Sequence, residues 1–206
     1  MRGLIGKKIG MTRVFNSVGN VIPVTVLEVG PCYVVQLKTL ENDGYDAVQI
    51  GFMDTKQKHM TKPLIGHFNK NNVKPAKFLA EFQQVPKFDY KPGQVFNVSL
   101  FNEGDFVSIS GKSKGRGFAG TIKKYSFSTQ RKTHGQGDTH RHVGSIGAAS
   151  DPSRVFPGKK MPGRYGNKTV TVNGLEVIMV KKNENQLLVK GSVPGSTNGI
   201  VYITRQ

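Results

Sequence analysis

The chain has 206 residues, 36% of them apolar, and its 30 Lys and Arg against 13 Asp and Glu give a formal charge of +17. An excess of that size fits a polyanionic partner better than a small-metabolite enzyme, without choosing between nucleic acid and an anionic membrane surface. Strand-sized apolar runs, an N-terminus without a signal-peptide pattern and a single cysteine, Cys32, argue against a spanning helix, a leader, an internal disulfide and a Cys-based zinc site, so the cytosol is the expected location.

In chain order, TRVFN (12–16) and VIPVTVLEV (21–29) flank the turn-like SVGN and predict a hairpin. YVVQLK (33–38) and YDAVQIG (45–51) follow, joined through Asn42-Asp43-Gly44. Residues 1–52 are accordingly assigned to the first part of a β-barrel. Residues 53–95 read as a small α+β insertion. In it KPLIGHFNKNN forms a short helix with Pro63 in its first turn. AKFLAEFQQV is a strand with Phe78, Ala80 and Phe82 on one face, or a second helix. The barrel resumes over 96–120 with QVFNVSLF and DFVSIS, and over 170–206 with TVTV-NG-LEVIMV, QLLVKG and GIVYIT. Short strands rich in Val and Ile, broken by Gly and Asn, suit a closed or nearly closed barrel, which leaves no bare edges.

Residues 121–169 differ. Apart from IKKYSF nothing in HGQGDTHRH, GAASDPSR or FPGKKMPGRYGNK would fill a core, and the segment is too long for an ordinary connection. Between Lys112 and Lys168 lie 13 Lys and Arg and two acids, Asp138 and Asp151. The segment is expected to be an internal arm drawn out of the barrel and ordered by something outside itself.

The arm is entered through GKSKGRGFAG (111–120), which imitates two nucleotide motifs. A Walker A loop needs a glycine where this chain has Phe106. The G-x-G-x-x-G of Gly115, Gly117 and Gly120 follows a strand, but TIKKYSFSTQRKTHGQG cannot supply the long amphipathic helix on which a pyrophosphate rests. The stretch reads instead as a phosphate track. Lys112, Lys114 and Arg116 alternate with small residues, and Lys123, Lys124, Arg131 and Lys132 continue the line. Phe118, Tyr125 and Phe127 either stack on bases or seal the barrel mouth. No sequence-reading helix is present, and a Gly-rich arm with spaced cations suits folded RNA. His134, His140 and His142 with Asp138 are the best metal candidate, but they lack a scaffold to fix coordination and are read as RNA contacts. Two function classes remain: a structural RNA-binding protein, and an enzyme holding a nucleotide on the 111–120 loop.

GLIGKKIGMTRVF, VTVLEVGPCYVVQLKT, GHFNK, GKSKGRGFAG, GSIGA, GKKMPGRYGN and LLVKGSVPG, in this order and spacing, resemble the bacterial large-subunit ribosomal protein L3 (uL3) family over nearly the whole chain. The resemblance implies a mainly β fold: a translation-factor-like Greek-key barrel, a small inserted α+β region, and a long extension. It implies binding to 23S rRNA, an early role in subunit assembly, and an arm reaching towards the peptidyl transferase centre with its inner end near 140–160. Ribosomal proteins L14 and L19 are the implied neighbours. Catalytic residues, cofactors, metals, small-molecule substrates and membranes are not implied. The rRNA contacts expected on this reading are the seven cations of the track together with Lys7, Lys8 and Arg13, and, in the arm, His134, His140, Arg141, His142, Ser145, Arg154, Lys159, Lys160, Arg164 and Lys168. Some bacterial members carry a side-chain-methylated glutamine directly after G-S-I-G. Here that position is Ala148, which has no amide to modify.

Overall fold

The computed structural model describes residues 3–16, 18–85 and 89–206. Ser17 of the SVGN turn and residues 86–88 of the expected insertion lie outside the described residues. The described chain is mainly β. It begins with strands β1 (Gly3–Phe15), β2 (Val21–Val29) and β3 (Cys32–Lys38), a helical turn α1 (Leu40–Asp43), and β4 (Ala47–Asp54). Helix α2 (Lys62–Lys70), β5 (Ala76–Gln83), β6 (Val95–Phe96) and β7 (Phe106–Lys112) follow. Then come β8 (Phe118–Ala119), helix α3 (Thr121–Tyr125), β9 (Gly163–Arg164), β10 (Thr169–Lys181), β11 (Gln186–Lys190) and β12 (Ile200–Arg205). Among the described residues no helix is long and apolar enough to cross a membrane.

Six strands close into a barrel in the order β1-β12-β7-β10-β11-β2. Strands β7, β10 and β11 form a meander, and β12 returns beside β7, which is the Greek-key arrangement. Every neighbouring pair is antiparallel. The period-2 pattern of Val and Ile drives closure: Val107 and Ile109, Leu187 and Val189, and Val201 and Ile203 are all fully buried, their sequence neighbours less so. The β1–β2 turn is held by Asn16, whose side-chain oxygen accepts hydrogen bonds from the amides of Val18 and Asn20 at 3.1 and 2.7 Å.

The second sheet, β5-β4-β3-β6, corrects the assignment of residues 1–52 to the barrel, because β3 and β4 belong to this sheet. Alternating apolar residues show that a strand has a buried face, but not which sheet receives it. One face of this sheet (Val34, Val48, Ile50, Phe52) shares the main core with the barrel residues Leu4, Leu27 and Ile109. Val35 and Ala76 pack instead with Phe68 of α2, in a second cluster. The segment 76–83 is a strand, with Phe78, Ala80 and Phe82 in the main core, so its helical alternative is set aside. Helix α2 carries Pro63 in its first turn as expected, and Asn71 at its end donates a hydrogen bond to the Val35 carbonyl at 2.7 Å.

Asn173-Gly174 also behaves differently from the turn it suggests. Strand β10 runs unbroken through it, with Gly174 at φ +68° inside a shift of register between Val172 and Leu175. By contact, the chain divides into a unit made of Met1–Ser113 and Thr169–Gln206 and a unit made of Lys114–Lys168. In the first unit Lys112 and Thr169 are direct partners across β7 and β10, so the chain leaves the barrel and re-enters it on one rung.

Candidate nucleic-acid interface

The unit Lys114–Lys168 is closed at its base by its own two ends. Phe118 pairs with Arg164 and Ala119 with Gly163 across β8 and β9. The Arg116 amide donates to the Tyr165 carbonyl and the Tyr165 amide to the Gly117 carbonyl, both at 2.9 Å. Gly166 makes this closure possible: at φ +73° any Cβ would collide with the Lys114 carbonyl oxygen. The glycines and cations of GRGFAG and GRYGN are thus two sides of one ribbon.

Beyond it α3 runs for five residues and stops at Ser126, whose φ of +59° is left-handed. Tyr125 lies against Phe127, with ring centroids 6.3 Å apart. The ammonium groups of Lys124 and Lys160 sit 5.0 and 5.8 Å from the Tyr125 centroid, an arrangement stabilised by the ring quadrupole. Residues 130–142 form a knot of short-range bonds. The Gln130 amide donates to the His140 carbonyl at 3.0 Å, and the Gln136 side chain bonds both Gln130 and Thr139. Later in the chain, the Ser145 hydroxyl donates to the Gly147 carbonyl at 3.1 Å, and the Arg154 guanidinium lies 5.9 Å from the Phe156 ring centre.

In this unit only Ala119 and Thr121 are buried. Every other side chain of the unit is exposed or half-buried. Its expected cations Lys114, Arg116, Lys123, Arg131, Lys132, Arg141, Arg154, Lys159, Arg164 and Lys168 are exposed, as are His134, His142, Ser145 and Ala148. Lys124 and His140 are half-buried, the latter with Nδ1 3.2 Å from the Gly137 carbonyl. Apart from Lys168, none of these lysines and arginines lies within ion-pair distance of a carboxylate among the described residues. Phe118 is 81% exposed, whereas Tyr125 and Phe127 are half-buried on each other, so the three aromatic residues do not share one role. An open hollow of about 610 Å³ is bordered by Gly120, Thr121, Gln130, Thr139 and Pro162, with Arg141 and His142 at its edge. Its donors and cation suit a phosphodiester and sugar. Only the fold of the loop brings Gln130, Thr139 and Pro162 together at this hollow.

In the barrel unit the expected contacts divide. Arg13 and Lys112 are exposed, on β1 and at the end of β7. Lys7 pairs with Glu28 at 3.7 Å across β1 and β2. Lys8 has a structural use: its ammonium donates to the carbonyls of Val193 at 2.6 Å and Gly195 at 3.3 Å, tying β1 to the loop before β12. Phe106 and Lys112 bound the strand β7, and the short α3 leaves the G-x-G-x-x-G without a helix of the length a dinucleotide site uses. No group of three or more His, Cys, Asp or Glu is placed to hold a metal ion among the described residues. Cys32 is buried, its thiol donating to the Ile5 carbonyl at 3.5 Å, and burial pushes that thiol up to about 12.

Comparison with known proteins agrees with this geometry. The family described as Ribosomal protein L3 matches residues 87–187, which include the whole coreless unit. The large ribosomal subunit protein uL3 of Petrotoga mobilis is 49% identical over 203 residues, covering 98% of this chain and 94% of its own. Those of Thermotoga petrophila and Thermotoga maritima are each 51% identical over 204 residues, covering 98% of this chain and 96% of theirs. The matched span covers barrel, second sheet and extension, and at that identity the chain belongs to the ribosomal protein L3 family.

Proposed function

We propose that the chain is a structural, non-catalytic constituent of the large ribosomal subunit, working in the ribosome in the cytoplasm. It binds 23S rRNA, helps to nucleate early subunit assembly, and extends Lys114–Lys168 through rRNA towards the peptidyl transferase centre. Ribosomal proteins L14 and L19 are its proposed protein neighbours. The observation that carries this reading is a unit with two buried residues and a row of exposed cations that, Lys168 apart, have no carboxylate within ion-pair distance among the described residues. Such a unit gains little from packing on itself. Ordering its backbone costs roughly 1–2 kcal/mol per residue, which many phosphate contacts can offset and a brief encounter cannot. The exposed cations, the glycine-lined closure and the exposed Phe118 suit RNA of irregular shape, read by phosphate, 2′-hydroxyl and stacked base.

The test is binding of the chain to a 3′-terminal fragment of 23S rRNA, compared with a variant in which a Gly-Ser linker replaces residues 125–165. The reading expects that variant to keep a cooperative melt and to lose most of its affinity. Equal affinity of the two proteins would refute a role for the extension in rRNA binding.

A further inference from the structure

Outside Lys112–Lys168 the chain carries a net charge of only +6, and most of it is concentrated in one place. Between Asp54 and Lys77 stand Lys56, Lys58, Lys62, Lys70, Lys74 and Lys77 against one acid, Asp54. All six lysines are exposed, and among the described residues none lies within ion-pair distance of a carboxylate. Like charges held together on ordered elements repel each other, and a polyanion relieves that repulsion.

The same segment encloses an apolar cavity of about 450 Å³. Phe68 on the inner side of α2, with Ala76 and Leu79 on β5, makes the floor, and Met60 and Leu64 make the walls. Phe68 and Ala76 belong to the second apolar cluster, so packing sets the floor in advance. Leu64, 41% exposed, forms the lip. The border is polar, with the hydroxyls of Thr55 and Thr61, His59 and Lys77. A preformed apolar recess with a few polar groups at its edge is what a flat ligand with a hydrogen-bonding rim requires.

We propose that this cavity receives an unstacked nucleobase of ribosomal RNA, while Lys77 at its border and other lysines of the same segment hold phosphates of the strand. The inference rests on the rRNA-binding reading above and adds a site in a different segment. A nucleobase has two apolar faces and a polar edge. The faces match Met60, Leu64 and Leu79, with the buried Phe68 behind them, and the edge matches Thr55, Thr61 and His59. The charge selects a strand over the alternatives. A free nucleotide would engage few of six lysines, and an apolar protein side chain would leave them all without a counter-charge.

The experiment is short-wavelength ultraviolet crosslinking of the full chain to a 23S rRNA transcript, with crosslinked peptides identified by mass spectrometry. Two variants probe the cavity without changing charge: Ala76→Leu, which fills it from the floor, and Leu64→Asn, which removes the apolar lip at an exposed position. Thermal melts accompany both, so the second variant stands if the first does not fold. The expected result is crosslinked peptides from residues 55–79 as well as from the extension. In the variants the 55–79 crosslinks fall about fivefold or more, as loss of one buried apolar contact would produce, while those of the extension persist. Crosslinks from the extension alone would overturn the inference and leave the cavity to a protein side chain. Crosslinks at 55–79 that neither variant reduces would overturn it as well, since phosphate would then be held with the cavity empty. Absence of crosslinks from both segments would overturn the rRNA-binding reading itself.

Discussion

Replacing Lys112, Lys114 and Arg116 together by Ala tests the phosphate track where it enters the extension. All three side chains are exposed and none has a carboxylate partner among the described residues, so their loss removes charge without removing an internal contact. Each phosphate contact contributes about 0.7–0.9 to the slope of log K against log salt. Three lost contacts lower that slope by up to about 2.1–2.7. Over a fourfold rise in salt, the variant should then lose about 20- to 40-fold less affinity than the parent chain. The assay is filter binding to a 23S rRNA fragment across a salt series, with a thermal melt to establish that the barrel is intact. A parental slope in the triple variant would refute the phosphate role of these residues.

Amide exchange should be fast over most of Lys114–Lys168 in the free chain and slow in β7, β10 and β12, with rRNA suppressing exchange in the extension; equal protection of both units in free protein would contradict a unit that depends on RNA for its order. Gly147 has only the Arg154 carbonyl oxygen, at 3.8 Å, near the position of a Cβ, so Gly147→Val should leave the free chain's melting unchanged. In ribosomes the same variant should lower assembly yield or change single-turnover peptidyl transfer, and normal values of both would limit the extension to anchoring. Ile109→Ala, in the fully buried main core, should cost about 2–5 kcal/mol in denaturant unfolding. Because Cys32 is raised from 9.0 to about 12 in the folded chain, its contribution is fully present below pH 9 and is lost as pH rises towards 12; unfolded chain should be alkylated near pH 9 while folded chain is not.

Much of this was legible in the residues because the signals are local. The alternation of Val107 and Ile109, or of Val201 and Ile203, marks a half-buried strand wherever it occurs, and the want of any such pattern after IKKYSF marks a segment without a core. What was not legible depends on partners distant in sequence. The hairpin of β3 and β4 has the same pattern as a barrel hairpin, and only its pairing with β5 and β6 places it in the second sheet. Lys8 reads as one more surface cation until the loop at 193–195 folds over it. Tyr125 and Phe118 look equivalent as stacking candidates, yet one is flanked by Lys124 and Lys160 and the other is left open. In the sequence the lysines of 56–77 belong to a small insertion, and the cavity of that segment forms only once Phe68 of α2 packs with Ala76 of β5.

The central claim is that the outer part of Lys114–Lys168 lies against rRNA of the peptidyl transferase centre. The chain offers a direct measurement. Its one native thiol, Cys32, is buried and held in the protonated form, whereas Ala148 is exposed. An iron chelate attached to an Ala148→Cys variant therefore labels one site, and parent chain carried through the same steps is the blank. After assembly into large subunits, hydroxyl radicals from the chelate should cut 23S rRNA at the peptidyl transferase centre and leave the blank uncut. Cuts confined to rRNA remote from that centre would contradict the account.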